Sequence, residues 1–207
     1  MPKGMLGRKI GMTSVYRQGI QIPVTAIEVL PNPVVQAKTA DGPDGYNALQ
    51  LGYGKKSVRR VNQPMQGHYK RAGVDPKRVL REFRDMTGFE AGQEVKAEDV
   101  FEQGDFVMVR GKSRGRGFAG VIKRHGFGGH KASHGTHESF RGPGSIGSSA
   151  TPSRVFKGMK MAGQMGNKTV AVKNLEVIEL IGDKHVMLLS GAVPGSSNSI
   201  VEILKAE

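Results

Sequence analysis

The chain has 207 residues, with 31 Lys and Arg against 18 Asp and Glu, a formal net charge of +13 and no cysteine. That length suits one domain or two small ones. The absence of thiols excludes disulfides and thiolate metal sites, and the positive excess directs attention to polyanionic partners. No run approaches the ~20 apolar residues of a membrane helix. The opening Met1-Pro2-Lys3-Gly4 lacks the apolar centre of a secretory signal, so a soluble cytoplasmic protein is expected.

Residues 1–19 set Gly4, Gly7 and Gly11 among Lys3, Arg8, Lys9 and Arg17, with no acid before Glu28. Two readings are open there: a solvated terminus, or a strand whose flanking bases touch phosphate. The β-branched run over residues 20–30 predicts a strand partly buried on both faces, with Pro23 marking an edge or an irregularity. Residues 34–39 and 48–53 read as antiparallel partners joined by the five-residue connection Asp41-Gly-Pro-Asp-Gly45. Lys55, Lys56, Arg59, Arg60, Lys70 and Arg71 then make a smaller basic loop. Asp75 and Pro76 supply an N-cap and a first-turn proline, and with Val79, Leu80 and Phe83 they predict a short helix over residues 76–84. Seven acids in residues 85–105 predict a solvated outer face, and residues 106–110 a strand.

Residues 110–168 hold twelve of the 31 basic side chains and one acid, Glu138, which places +11 of the net charge in one stretch. Fourteen of its residues are glycine and few apolar side chains recur at regular spacing. Burial of hydrocarbon cannot offset the ~1–2 kcal/mol per residue lost on ordering such a backbone, so an outside partner must order it. The other 148 residues carry 19 bases and 17 acids, an ordinary neutral body. Nucleic acid is the expected partner; the glycines preclude the apolar helix face that a membrane surface requires.

Beyond this stretch, Val170 and Val172 alternate in one phase and Leu175 and Val177 in the other, which predicts a bulge or bend across Lys173 and Asn174. Gly182-Asp183 offers a turn, and residues 186–189 and 200–204 read as closing strands. About eight short strands, one short helix and no βαβ alternation favour a mainly β fold, a barrel with insertions.

Several motif matches fail on physical grounds. Gly115-Arg-Gly-Phe-Ala-Gly120 fits the dinucleotide fingerprint, but Gly126, Gly128 and Gly129 break the helix that the pyrophosphate would need. In Gly163-Gln-Met-Gly-Asn-Lys168, Asn167 interrupts the phosphate-loop pattern. His125, His130, His134 and His137 lie close in sequence, and His137-Glu138 begins a zinc motif, but Arg141 stands where the second histidine belongs. Imidazoles that bond to phosphates and 2′-hydroxyls, or stack on bases, fit better. No catalytic set emerges: Ser145, Ser148 and Ser149 have no acid of their own and read as a flexible tip. Phe118, Phe127, Phe140 and Phe156 are either a small local core or anchors between nucleotides. Without a recognition helix, folded RNA suits the chain better than sequence-specific reading of DNA. The alternatives from other classes are a metal-dependent nucleic-acid-processing enzyme built on the histidines and Glu138, and a DNA-compacting protein.

Four motifs in order carry a resemblance: Gly4-Met-Leu-Gly-Arg-Lys-Ile-Gly-Met-Thr13, Ser113-Arg-Gly-Arg-Gly-Phe-Ala-Gly-Val-Ile-Lys-Arg124, Arg141-Gly-Pro-Gly-Ser-Ile-Gly147 and Phe156-Lys-Gly-Met-Lys-Met-Ala-Gly-Gln-Met-Gly166. Together they resemble the bacterial form of large-subunit ribosomal protein three, over essentially the whole chain. The resemblance implies a six-stranded barrel of the translation-protein type and a long loop that enters large-subunit rRNA towards the peptidyl transferase centre. It also implies an early, non-catalytic role in assembly. Residues 1–110 would form the first part of the barrel, with the basic loop and short helix inserted at about 54–93. Residues 111–168 would be the rRNA-penetrating extension, and residues 169–207 the closing strands.

The expected rRNA contacts are Lys3, Arg8, Lys9, Lys55, Lys56, Arg59 and Arg60 on the body. In the extension they are Lys112, Arg114, Arg116, Lys123, Arg124, His125, His130, Lys131, His134, His137, Arg141, Ser145, Ser148, Arg154, Lys157, Lys160 and Lys168. No cofactor, metal, membrane or small-molecule substrate is expected. The implied protein neighbours are the large-subunit proteins numbered fourteen and nineteen. One departure stands out: many members have Gly-Gln-Asn-Gln before Thr-Pro, with the second glutamine methylated in some. Here Ser148, Ser149 and Ala150 follow Gly147, and Ala150 has no amide to modify.

Overall fold

Every second residue along Val107 and Val109, and along Val201 and Ile203, is fully buried, which is the period-two pattern of strands with one face on a core. The computed structural model describes residues 4–205. In chain order its elements are β1 (Gly4–Arg17), β2 (Ile20–Glu28), β3 (Asn32–Lys38), β4 (Ala48–Lys55), α1 (Gln63–Ala72), β5 (Lys77–Arg84), β6 (Glu94–Val95) and β7 (Phe106–Lys112). There follow β8 (Phe118–Ala119), α2 (Val121–His125), β9 (Gly163–Gln164), β10 (Thr169–Ile181), β11 (Val186–Ser190) and β12 (Ile200–Lys205).

Six strands close an antiparallel barrel in the order β1-β12-β7-β10-β11-β2, as expected of a mainly β fold. A four-stranded sheet, β5-β4-β3-β6, shares its core: Leu49, Leu51 and Phe83 cluster with Met5, Ile27 and Val107. Burial of such side chains contributes about 1.5–3 kcal/mol each. At Gly4 the barrel backbone comes so close to the sheet that an added Cβ would lie 2.6 Å from the Phe83 ring. Three register shifts interrupt the barrel pairings. The pairing of β1 with β2 shifts between Lys9 and Gly11, that of β10 with β7 between Val172 and Leu175, and that of β10 with β11 between Val177 and Glu179. The second is the phase change expected at Lys173 and Asn174, with Asn174 at φ 58° supplying the bend. Pro23 sits where a neighbouring strand stops. It pairs with Ser14 on one side, and on the other its carbonyl accepts from Gly191 just past the end of β11, so its missing N–H costs nothing.

Three sequence expectations need correction. Residues 76–84 are not a helix: β5 pairs with β4 from Lys77 to Arg84, because Phe83 finds the core as a strand residue. An apolar set at positions 79, 80 and 83 fits either period over so short a run. The helix lies instead in the preceding basic stretch, where Pro64 occupies its first turn, Tyr69 is its one buried residue and Gly73 ends it in the left-handed conformation (φ 66°). The connection between β3 and β4 runs over residues 39–47 rather than five residues. The acid-rich stretch 85–105 is not wholly an outer face, since Met86, Val95, Val100 and Phe101 are buried in the core. Of the two readings open for the N-terminal stretch, Gly4–Arg17 takes the strand, β1, paired on both sides.

The described chain divides into two compact units, one formed by residues up to 113 together with those from 169 onward, the other by residues 114–168. Within the second, β8 pairs with β9, Arg116 N–H donates to Met165 O at 2.9 Å, and Met165 N–H donates to Gly117 O at 2.9 Å. Helix α2 is five residues long and stops at Gly126, in the left-handed conformation at φ 75°. A helix this short is what the downstream glycines dictate, and it cannot serve a dinucleotide fingerprint. Only Ala119 and Val121 are buried in this unit.

Candidate nucleic-acid interface

A stretch with two buried side chains leaves its charges outside. Lys112 ends β7, and Arg114, Arg116, Lys123, Lys131, Arg141, Arg154, Lys157, Lys160 and Lys168 follow it; all ten are exposed. Among the described residues, Lys112, Arg114, Arg116, Lys123, Lys131, Arg141, Arg154, Lys157 and Lys160 form no ion pair. Basic side chains on ordinary proteins are interspersed with acids; here Glu138 is the sole acid. The result is a dense, uncompensated cationic surface on irregular backbone.

Two of the expected contacts are partly committed to the chain's own architecture. Arg124 Nη1 donates to Met161 O at 2.6 Å, and the His125 ring nitrogen lies 3.0 Å from the same oxygen, so both brace α2 against the returning chain. An added Cβ at Gly163 would lie 2.7 Å from Arg124 Nη1, the far end of a flexible side chain. His130, His134 and His137 are exposed, and among the described residues no three His, Asp or Glu side chains are grouped to hold a metal ion. Ser145 donates to Gly147 O at 3.0 Å, and Ser145 and Ser148 are both exposed.

The aromatic side chains divide. Phe127 is half-buried with its ring centroid 6.0 Å from that of His125, whereas Phe118 is 79% exposed. Phe156 is 53% exposed with the Arg154 guanidinium 5.8 Å from its centroid. The exposed rings and a cation over one of them are features suited to stacking on bases.

On the first unit, Lys3 lies outside the described residues. Arg8 makes a bidentate pair with Glu28, Nε to Oε2 at 2.9 Å and Nη2 to Oε1 at 2.7 Å. That hydrogen bond and the charge behind it raise the pKa of Arg8 above its ordinary value. Lys9 Nζ turns to the carbonyl oxygens of Val193 and Gly195 at 2.7 and 3.2 Å. Lys55, Lys56, Arg59 and Arg60 are exposed and unpaired among the described residues. Three exposed arginines outside the expected set, Arg78, Arg81 and Arg110, line a groove on this unit. The misread helix hid the first two: read as a strand, residues 77–84 would have set basic side chains along a sheet.

The profile of the family described as "Ribosomal protein L3" matches residues 77–186. The chain is similar to the large ribosomal subunit protein uL3 of Leifsonia xyli subsp. xyli, 50% identical over 207 residues, which cover 99% of this chain and 94% of the relative. It is 47% identical to that of Deinococcus radiodurans over 204 residues (99% and 95%) and 46% identical to that of Coxiella burnetii over 211 residues (100% and 96%). Identity at that level over nearly the full length of each relative goes with the closed six-stranded barrel and the cationic second unit: the chain belongs to the ribosomal protein L3 family.

Proposed function

We propose that this protein is a structural constituent of the large ribosomal subunit, binding large-subunit rRNA directly and helping to nucleate its folding. Residues 111–168 act as the rRNA-penetrating extension, and the rest of the chain acts as the barrel that anchors it. The observation that carries this reading is the row of exposed cations from Lys112 to Lys160 that no carboxylate neutralises among the described residues. Each phosphate such a side chain meets releases condensed counterions, a driving force that needs no pocket and no apolar area.

The role is architectural rather than catalytic: the extension presents donors and positive charge to backbone, and its glycines let the chain follow the walls of a folded RNA. Lys112, Arg114, Arg116, Lys123 and Arg124 serve the base of the extension, Arg141 to Ser149 its innermost part near the peptidyl transferase centre, and Lys157, Lys160 and Lys168 the return. The protein works in the cytoplasm, within the ribosome, beside other large-subunit proteins. Those numbered fourteen and nineteen are the neighbours that family membership suggests.

Lys112 pairs with Thr169 across β7 and β10, so residues 114–167 can be replaced by a short Gly-Ser turn without opening the barrel. Binding of that variant to in-vitro-transcribed large-subunit rRNA, titrated across salt, is expected to be much weaker and to show a markedly shallower dependence of log affinity on log salt. Unchanged affinity and slope would overturn the proposal.

A further inference from the structure

Two concavities on the first unit, of about 380 and 280 Å³, share Arg78, Asn198 and Ile200 in their walls and so form one continuous groove. Six cations border it (Arg8, Lys55, Arg78, Arg81, Arg110 and Lys112) against two acids, Glu28 and Glu202. The acids are placed unusually. Glu202 is 15% exposed at its side chain and receives two guanidinium groups that are 57% and 47% exposed. Arg81 Nε donates to its Oε1 at 2.8 Å, while Arg110 donates to its Oε2 from Nε at 2.7 Å, with Nη2 at 2.6 Å. Glu28 holds Arg8 in the same manner at the other end, recessed at 22% against 44%. One recessed carboxylate therefore fixes the direction of two forks that both stay exposed, with Arg81 Nη1 also donating to Leu80 O at 3.4 Å. Lys55, Arg78 and Lys112 add unpaired charge between them.

We propose that this groove is a second RNA site, outside residues 114–168, that seats one sugar-phosphate strand, and that Glu202 is a positioning residue for its two arginine forks. The inference rests on the rRNA-binding role proposed above. A phosphate diester suits the groove because its two free oxygens accept from a planar fork, and a fork already oriented loses less freedom on binding. Asn198, exposed at the groove wall, suits the 2′-hydroxyls of RNA. Glu202 lies opposite Arg110 in the register of β12 and β7, so the arrangement is built into the barrel itself.

The test titrates the full-length chain and its variants against in-vitro-transcribed large-subunit rRNA at several salt concentrations. Lys55→Ala/Arg78→Ala is expected to lower the magnitude of the log–log slope by about 1.4–1.8, at ~0.7–0.9 per phosphate, whereas Lys55→Arg/Arg78→Lys keeps the wild-type slope. Glu202→Gln separates positioning from charge. It raises the net charge by one, so simple charge counting expects tighter binding, whereas loss of orientation at Arg81 and Arg110 makes it about threefold or more weaker. Acylation of Lys55 in the wild-type chain supplies a readout that does not depend on any variant folding, and rRNA is expected to protect it. If wild-type protein binds rRNA while the alanine variant keeps its slope, Glu202→Gln binds more tightly, or Lys55 stays reactive in the complex, the groove assignment falls and the role of the extension stands. Failure of the wild-type protein to bind rRNA overturns both.

Discussion

The Tyr53 hydroxyl donates to Glu28 Oε2 at 2.8 Å, tying β4 of the four-stranded sheet to β2 of the barrel. Glu28 is simultaneously held by Arg8, so the three groups form a chain from strand β1 to the sheet. Burial first, and then the hydrogen bond to Glu28, push the phenol well above its ordinary pKa, so it stays a donor throughout the physiological range. Tyr53→Phe removes the donor while keeping the buried ring. A hydrogen bond to a charged partner contributes about 1.5–3 kcal/mol, and Glu28 retains Arg8 as a partner, so the expected loss is at the low end, about 1–2 kcal/mol. Urea denaturation monitored by circular dichroism checks it: an unchanged midpoint would mean the contact contributes nothing.

The acids of the first unit set its response to pH. Burial raises the pKa of Glu28, but hydrogen bonds from Arg8 and Tyr53 and the charge of Arg8 outweigh it, leaving the group below its ordinary value. At Asp105, likewise, burial is overcome by Lys205 and by the Glu102 N–H. Glu82 is lowered chiefly by the hydrogen bond from Lys38. A carboxylate with a lowered folded-state pKa binds protons more weakly folded than unfolded. Its stabilisation is therefore complete above the unfolded value of about 4 and is lost as pH falls through that value to the folded one. Melting temperatures are thus expected to hold steady from neutral pH to about 5 and to drop below it. In Glu28→Gln the drop should be shallower, and a parallel acid limb would show that Glu28 takes no part.

How much of this could be seen in the residues alone varies with the physics of each part. The barrel strands announce themselves because one face of each meets the core, and the phase slip at Lys173 and Asn174 survives into the register of β10 against β7. The extension is visible because composition needs no geometry: no fold can hide eleven units of net charge. Strand β5 was not visible, since Val79, Leu80 and Phe83 satisfy a helical spacing and only pairing with β4 decides between the two. Helix α1 was equally hidden: Met65, Tyr69 and Ala72 do fall at helical spacing and pack together, but Tyr69 is its single buried residue and the rest of the segment is polar or basic. The groove lies further still from the sequence. Arg81, Arg110 and Glu202 meet only because β7 and β12 pair in the barrel and the side chain of Arg81, on edge strand β5 of the other sheet, reaches the same carboxylate.

Order within residues 114–168 should be graded rather than absent. The root is held by the reciprocal bonds between Arg116 N–H and Met165 O and between Met165 N–H and Gly117 O, and α2 by those from Arg124 N–H to Gly120 O and Gly126 N–H to Ile122 O. With Ala119 and Val121 the only buried side chains, little resists opening beyond these points. In free protein, amides across residues 131–160 are therefore expected to exchange within seconds to minutes, those of Arg116 and Met165 more slowly, and those of Val109 and Ile203 slowest of all. Binding to rRNA should slow the first group selectively. Strong protection of residues 131–160 without RNA would mean that the segment holds its shape unaided.

Gly166 offers the sharpest single change. Its φ of 73° lies in the left-handed region, and a Cβ there would collide with the Arg114 carbonyl oxygen across the root of the extension. Gly166→Ala therefore meets two costs together, backbone strain of about 1–3 kcal/mol and a steric clash with main chain that no side-chain rotation relieves. The barrel lies outside this contact, so the variant should keep a near wild-type melting temperature. The bond from Arg116 to Met165 should open, which amide exchange at those two positions will report. Because the root sets where the extension begins, affinity for large-subunit rRNA should fall several-fold while every cation remains in the sequence. Wild-type exchange and affinity in Gly166→Ala would show that charge alone suffices, and that the direction in which the root points the chain is immaterial to binding.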